Sequence, residues 1–96
     1  MPLAFEWDRR KAAANLRKHS VSFTEGASVL SDPQARIFPD ESHSIEETRE
    51  IIVGHSLAKR LVLVCFTEIE PEKIRIISAR CATKREQRDY EEYGTI

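Results

Sequence analysis

Ninety-six residues, 41% hydrophobic and 32% charged, suit one compact domain over residues 1–96: too few for a multidomain machine and too apolar for a disordered chain. No apolar run reaches the roughly 18–20 residues of a bilayer span, and charge soon follows Met1–Glu6 where a secretory signal would have its apolar core, so a cytoplasmic protein without a membrane partner is expected. The net charge of -1 speaks against a uniformly basic nucleic-acid binder, yet it averages over two basic stretches. Residues 9–19 hold Arg9, Arg10, Lys11, Arg17 and Lys18 with no acid, and residues 73–88 hold six cations against Glu86 alone, +5 in each, leaving -11 for the rest. Such segregation fits a basic groove with an acidic back, and equally two solvated helix faces.

Leu3 to Trp7 is short and apolar-rich and reads as an edge strand. Asp8 suits the N-cap of a helix from Arg9 to about Lys18, on which Ala12, Leu16 and His19 share a narrow face. Ser22-x-x-Glu25 has capping-box spacing before a second helix, Phe23 to about Leu30, with Phe23, Ala27 and Leu30 inward and Asp32-Pro33 as its stop. Ala35 to Phe38 is a candidate strand, after which Pro39 to Ser42 opens the longest exposed loop.

Thr48–Gly54, Arg60–Thr67 and Lys73–Ala79 are rich in Ile, Val and Leu and are separated by breaks of hairpin length. The unbroken apolar run Leu61 to Phe66 predicts a central strand covered on both faces, with Cys65 buried inside it. Regular pleating along the last of these strands gives Ile74, Ile76 and Ser78 one face and Arg75, Ile77 and Ala79 the other, which sets Arg75 and Arg80 on opposite faces. Thr83-x-x-Glu86 then opens a last helix, Lys84 to about Tyr93, closed by Gly94; with Tyr90 and Tyr93 as its only large apolar residues it docks lightly. The class is α+β: a mostly antiparallel sheet with two N-terminal helices and one C-terminal helix.

His19, His43 and His55 fall in different elements without metal-binding spacing, and three glycines cannot build a phosphate cradle, so neither a metal nor a nucleotide cofactor is expected. Cys65 and Cys81, lacking a CxxC, read as buried thiols. The cations remain. Arg75, Arg80, Arg60, Lys11 and Lys18, with Trp7 ahead of the first helix, suit phosphates and a stacked base. The competing structural reading pairs the arginines with Glu50, Glu68 and Glu70 and makes Trp7 a core anchor.

Phe5-Glu6-Trp7-Asp8, Lys11, Asn15, Lys18-His19, Val21-Ser22-Phe23, Asp32-Pro33, His43-Ser44, Glu47-x-Arg49, Gly54-x-Ser56, Ile74 to Arg80, Ala82-Thr83, Glu86 and Tyr90-Glu91-Glu92 together resemble the BrnT toxins of bacterial type II toxin-antitoxin systems. The resemblance runs from about residue 5 to residue 93. It implies a RelE-like ribonuclease fold, RNA cleavage with growth arrest, a BrnA-type antitoxin partner, and operator DNA bound only through that antitoxin. The chain departs from the family's pattern at Ile69, after Glu68, and at Cys81, after Ser78-Ala79-Arg80, where members often carry a basic residue.

Two functions follow. The first is a metal-independent endoribonuclease in which the RNA 2'-OH attacks the neighbouring phosphate. Arg80 and Arg60 are its expected clamp, Arg75 a further member, and His19 or Glu68 the group that moves protons; Trp7, Lys11, Lys18 and Lys84 would hold the RNA. The second is a non-catalytic interaction module that holds a DNA-binding partner and acts in transcriptional autoregulation.

Overall fold

The computed structural model describes residues 3–40 and 48–93. The chain runs β1 (Ala4–Glu6), α1 (Arg9–His19), α2 (Phe23–Ser28), a single 3₁₀ turn (Val29–Ser31), β2 (Arg36–Pro39), β3 (Glu50–His55), β4 (Leu61–Glu70), β5 (Lys73–Cys81) and α3 (Lys84–Tyr93). The α+β class and the placement of the helices agree with the sequence reading. Most of the loop expected to open at Pro39, with His43, and the closing Gly94 lie outside the described residues.

The five strands form one sheet in the order β1-β5-β4-β3-β2, antiparallel throughout except for β1 beside β5. Helices α1 and α2 cover one face, where Phe23, Val62, Val64, Phe66, Ile74, Ile76 and Ala79 form the main core. On the other face a smaller cluster of Val53, Leu61 and Leu63 meets Phe38, Ile51, Ala82 and Tyr90 of α3. Strand β4 is therefore central and doubly covered, as its apolar run predicts. Cys65 departs from that prediction: it is half-buried, because α3 shields the Leu61–Leu63 end of the strand and stops short of it. Its thiol is in no disulfide and donates toward the Asp40 carboxylate at 3.7 Å.

Strand β5 corrects the sequence reading more deeply. Cys65 pairs with Ser78 while Phe66 pairs with Ile76, which leaves Ile77 as an extra residue. This bulge reverses the alternation. Ile74 and Ile76 face the main core before it and Ala79 does so after it, so Arg75, Ser78 and Arg80 all point to the opposite face. The expected split of Arg75 from Arg80 is thus overturned.

Helix α1 starts where expected, the Asp8 carboxylate accepting from the amides of Arg10 and Lys11 at 2.8 and 3.0 Å. Its inward residue is Asn15, not Leu16, which is half exposed. The reason is β1, whose three residues pair β5 only as far as Arg75 and leave the Ala79 backbone without a strand on that side. Asn15 takes the strand's place: its Nδ2 donates to the Ala79 and Val21 carbonyls, and its Oδ1 accepts from the Ala79 amide. Helix α2 ends earlier than Leu30, tightening into the 3₁₀ turn after Ser28, whose hydroxyl donates back to the Glu25 carbonyl and accepts from the Leu57 amide.

Candidate functional site

The bulged face carries a shallow groove of about 260 Å³ over β3, β4 and β5, lined by Ile51, Leu63, Cys65, Ile77, Ser78 and Arg80, with Asp40 just past β2 and Arg49 just before β3. Arg80 stands opposite Leu63 and Arg75 opposite Thr67, four residues apart on β4, so the two arginines sit about 13 Å apart along the same face.

Both are engaged by carboxylates. The Arg80 guanidinium donates to Glu86 through Nη1 at 2.7 Å and Nη2 at 2.8 Å, the two-pronged geometry that suits a planar guanidinium. Glu86 in turn accepts from the Thr83 amide, while its own amide donates to the Thr83 hydroxyl, completing the capping box of α3. The hydrogen bonds from Arg80 hold the Glu86 carboxyl down to about 2, against the opposing effect of burial. At the other end, Arg75 donates to Glu6 at 2.9 Å, and Lys73 stands 3.6 Å from the same carboxylate. The Arg75 hydrogen bond is the main cause of the lowered Glu6 pKa. The side chains of Arg80 and Arg75 keep 40% and 44% of their surface in solvent, enough for a polyanion to reach them.

Arg60 lies on the other side of the sheet. It donates to both Glu25 oxygens and, at 2.9 Å, to the Ser20 carbonyl, while the Ser56 hydroxyl donates to Glu25 at 2.7 Å. These bonds, led by Arg60, lower the Glu25 pKa and tie the end of α1, helix α2 and the β3–β4 turn into one clasp. The expected Arg60–Arg80 clamp on a single phosphate is therefore not formed. The sheet stands between them.

His19 ends α1 at the Arg60 corner, half-buried, and Lys11 and Lys18 are exposed along the same helix. Trp7 is half-buried with its ring edge-on to Phe23 at 5.9 Å, the anchoring role of the structural reading. Glu68 is exposed and on the helix side of β4, eight residues and about 26 Å along the strand from Arg60. Lys84 opens α3 next to the Arg80–Glu86 pair. The structure thus brings Arg75, Arg80 and Lys84 to one side and Arg60, His19, Lys11 and Lys18 to the other, with Glu68 beside neither group. Sequence reasoning missed Ser78 and Arg49 as groove residues and Glu86 as the partner of Arg80; only Glu86 left a signal, the capping box. Among the described residues, no three His, Cys, Asp or Glu side chains converge as a metal site, and no helix is long and apolar enough to cross a membrane.

The fold and this face define a small α+β domain with helices on one side of a sheet and arginines on a partly open other side. A family described as "Ribonuclease toxin, BrnT, of type II toxin-antitoxin system" matches residues 7–86. Among solved structures, that of the Brucella abortus ribonuclease toxin BrnT is similar, with a TM-score of 0.67 and 24% identity over 85% of this chain and 99% of that one. No curated protein matches significantly. The chain belongs to the BrnT family of ribonuclease toxins of type II toxin-antitoxin systems.

Proposed function

We propose that the chain cleaves RNA without a metal on its bulged sheet face and is neutralised by a BrnA-type antitoxin, through which alone the complex reaches operator DNA. Family membership supports the substrate class, and the observation that carries the location is the Ile77 bulge, which aligns Arg75, Ser78 and Arg80. RNA brings its own nucleophile: the 2'-oxygen bonds to phosphorus as its proton is lost, and the bond to the 5'-oxygen breaks as that oxygen gains a proton. What the protein must add is positive charge where the phosphorane forms. Arg80 supplies it, its planar fork held flat by Glu86, and Arg75 holds phosphates further along the strand. Lys84 and the amides of the first turn of α3 add positive potential at the same corner. His19, Arg60 and Glu68 fall outside this reaction, being on the helix side of the sheet, and Lys11, Lys18 and Trp7 belong to a separate surface.

The test is cleavage of RNA by purified chain with chelator present, and growth arrest on expression with and without the antitoxin. Chelator-resistant cleavage that the antitoxin suppresses is expected; cleavage restored only by added metal would overturn the mechanism. One observation favours the non-catalytic reading, namely that Arg75 and Arg80 already pair with Glu6 and Glu86. A folded chain that binds the antitoxin and never cleaves RNA would establish it.

A further inference from the structure

The helix-covered face is incompletely covered. Beyond the end of α2 a groove of about 410 Å³ crosses the whole sheet, from Ile37 on edge strand β2 to Leu3 beside edge strand β1. Four inter-strand gaps make that crossing about 19 Å long. Its floor is Ile52, Phe66 and Ile74, all nearly fully buried, while the rims Ile37 and Leu3 keep 54% and 38% of their surface exposed. The floor is closed over, so the apolar surface left to a partner is at the two rims, Ile37 and Leu3, with the groove between them.

The charge of the groove selects that partner. Among the described residues Asp32, Glu50 and Glu68 line it, and no cation does. Asp32 is occupied by the His55 and Gln34 amides, whereas neither Glu50 nor Glu68 has an ion-pair partner among the described residues. An RNA backbone is repelled here, and a cationic, apolar segment is drawn in. We infer that this acid-rimmed groove is the docking site of a cationic, amphipathic segment of the neutralising antitoxin, on the side of the sheet away from the cleavage face. The inference rests on the proposed toxin function, and the segment's positive charge is inferred from the two carboxylates of the groove, Glu50 and Glu68, that no cation neutralises among the described residues. Neutralisation from this side acts without covering Arg80.

The probe is the purified antitoxin encoded beside this chain, titrated against the free chain and against a double variant, Ile37→Lys with Glu50→Lys. Both positions are outside the cleavage face, so the double variant should cleave RNA and melt as the parent does, while its dissociation constant for antitoxin rises at least tenfold. Added salt should weaken the parent complex more than the variant complex. Leu3→Lys, at the opposite rim, provides a second reading should the double variant fail to fold. Unchanged affinity in a folded variant, absence of any complex with the parent chain, or loss of self-association in place of antitoxin binding would each overturn the inference. RNA cleavage is scored separately, so a chain that binds antitoxin through the groove but cleaves nothing refutes the ribonuclease mechanism and leaves the docking site standing.

Discussion

Arg80, at the end of β5, and Glu86, in the first turn of α3, meet through two parallel hydrogen bonds of 2.7 and 2.8 Å, so the residue proposed to meet the phosphate is also the tether of the last helix. The tether and the proposed catalytic role can be separated.

Arg80→Ala should lose about 10²-fold or more in RNA cleavage, by analogy with removal of one oxyanion donor, and should also lower the melting temperature by freeing α3. Arg80→Lys should recover part of both, since an ammonium cannot span two carboxylate or phosphate oxygens. Glu86→Gln is the comparison: it keeps the guanidinium but weakens both the tether and the hold on the Arg80 fork, so the melting temperature falls and cleavage drops, though by less than in Arg80→Ala. Measuring rate and melting on all three variants decides, and cleavage that tracks only the folded fraction would make Arg80 purely structural.

Glu86 also sets an acid limit. Its carboxyl is held at about 2 in the fold against an ordinary value of 4.5, so the folded state binds fewer protons at this group than the unfolded chain. The stabilisation is complete above about pH 4.5 and is lost as the pH falls toward 2. Chemical denaturation at stepped pH should show stability declining through that window in the parent and a flatter profile in Glu86→Gln; parallel profiles would remove Glu86 from the acid response.

Asn15→Leu should cost about 2–4 kcal/mol, because the buried Ala79 amide and carbonyl lose their partners together. Asn15→Asp should fare little better, since a carboxylate can still accept from Ala79 but now faces two carbonyls. Denaturant titration measures both.

Gly54→Ala would bring a Cβ to 2.7 Å from the Ala35 Cβ and 2.9 Å from an Asp32 carboxylate oxygen, and should destabilise by about 1–3 kcal/mol. Gly26→Ala, with its closest approach 3.1 Å to the Ala79 Cβ, should cost less. Equal melting of the two variants would contradict this ordering.

Arg60→Ala should lower the melting temperature and leave cleavage per folded molecule unchanged, because Arg60 serves the Glu25–Ser20–Ser56 clasp. A folded Arg60→Ala with cleavage reduced tenfold or more would return Arg60 to the catalytic group.

What the sequence determined by itself was local. Asp8, Ser22 and the capping box at Thr83 set where helices begin, because an N-cap depends on residues three apart; at Ser22 only the hydroxyl's half of the box forms, since the Glu25 carboxylate accepts from Arg60 and Ser56 instead. The run Leu61 to Phe66 made β4 central, because an uninterrupted apolar strand has no face to give to water. Side-chain direction past residue 77 was decided only in the tertiary structure. A bulge arises from a register between two strands, and no residue in Ile74 to Arg80 announces it; yet it moves Arg75 and Arg80 to one face and separates them from Arg60. The same holds for Asn15, inward because β1 is too short to pair Ala79, and for Cys65, only half-buried because α3 ends its cover at Leu63. Local chemistry fixes where an element starts and what it is made of; which groups share a face depends on pairing between distant segments, and there a one-residue slip reverses every side chain beyond it.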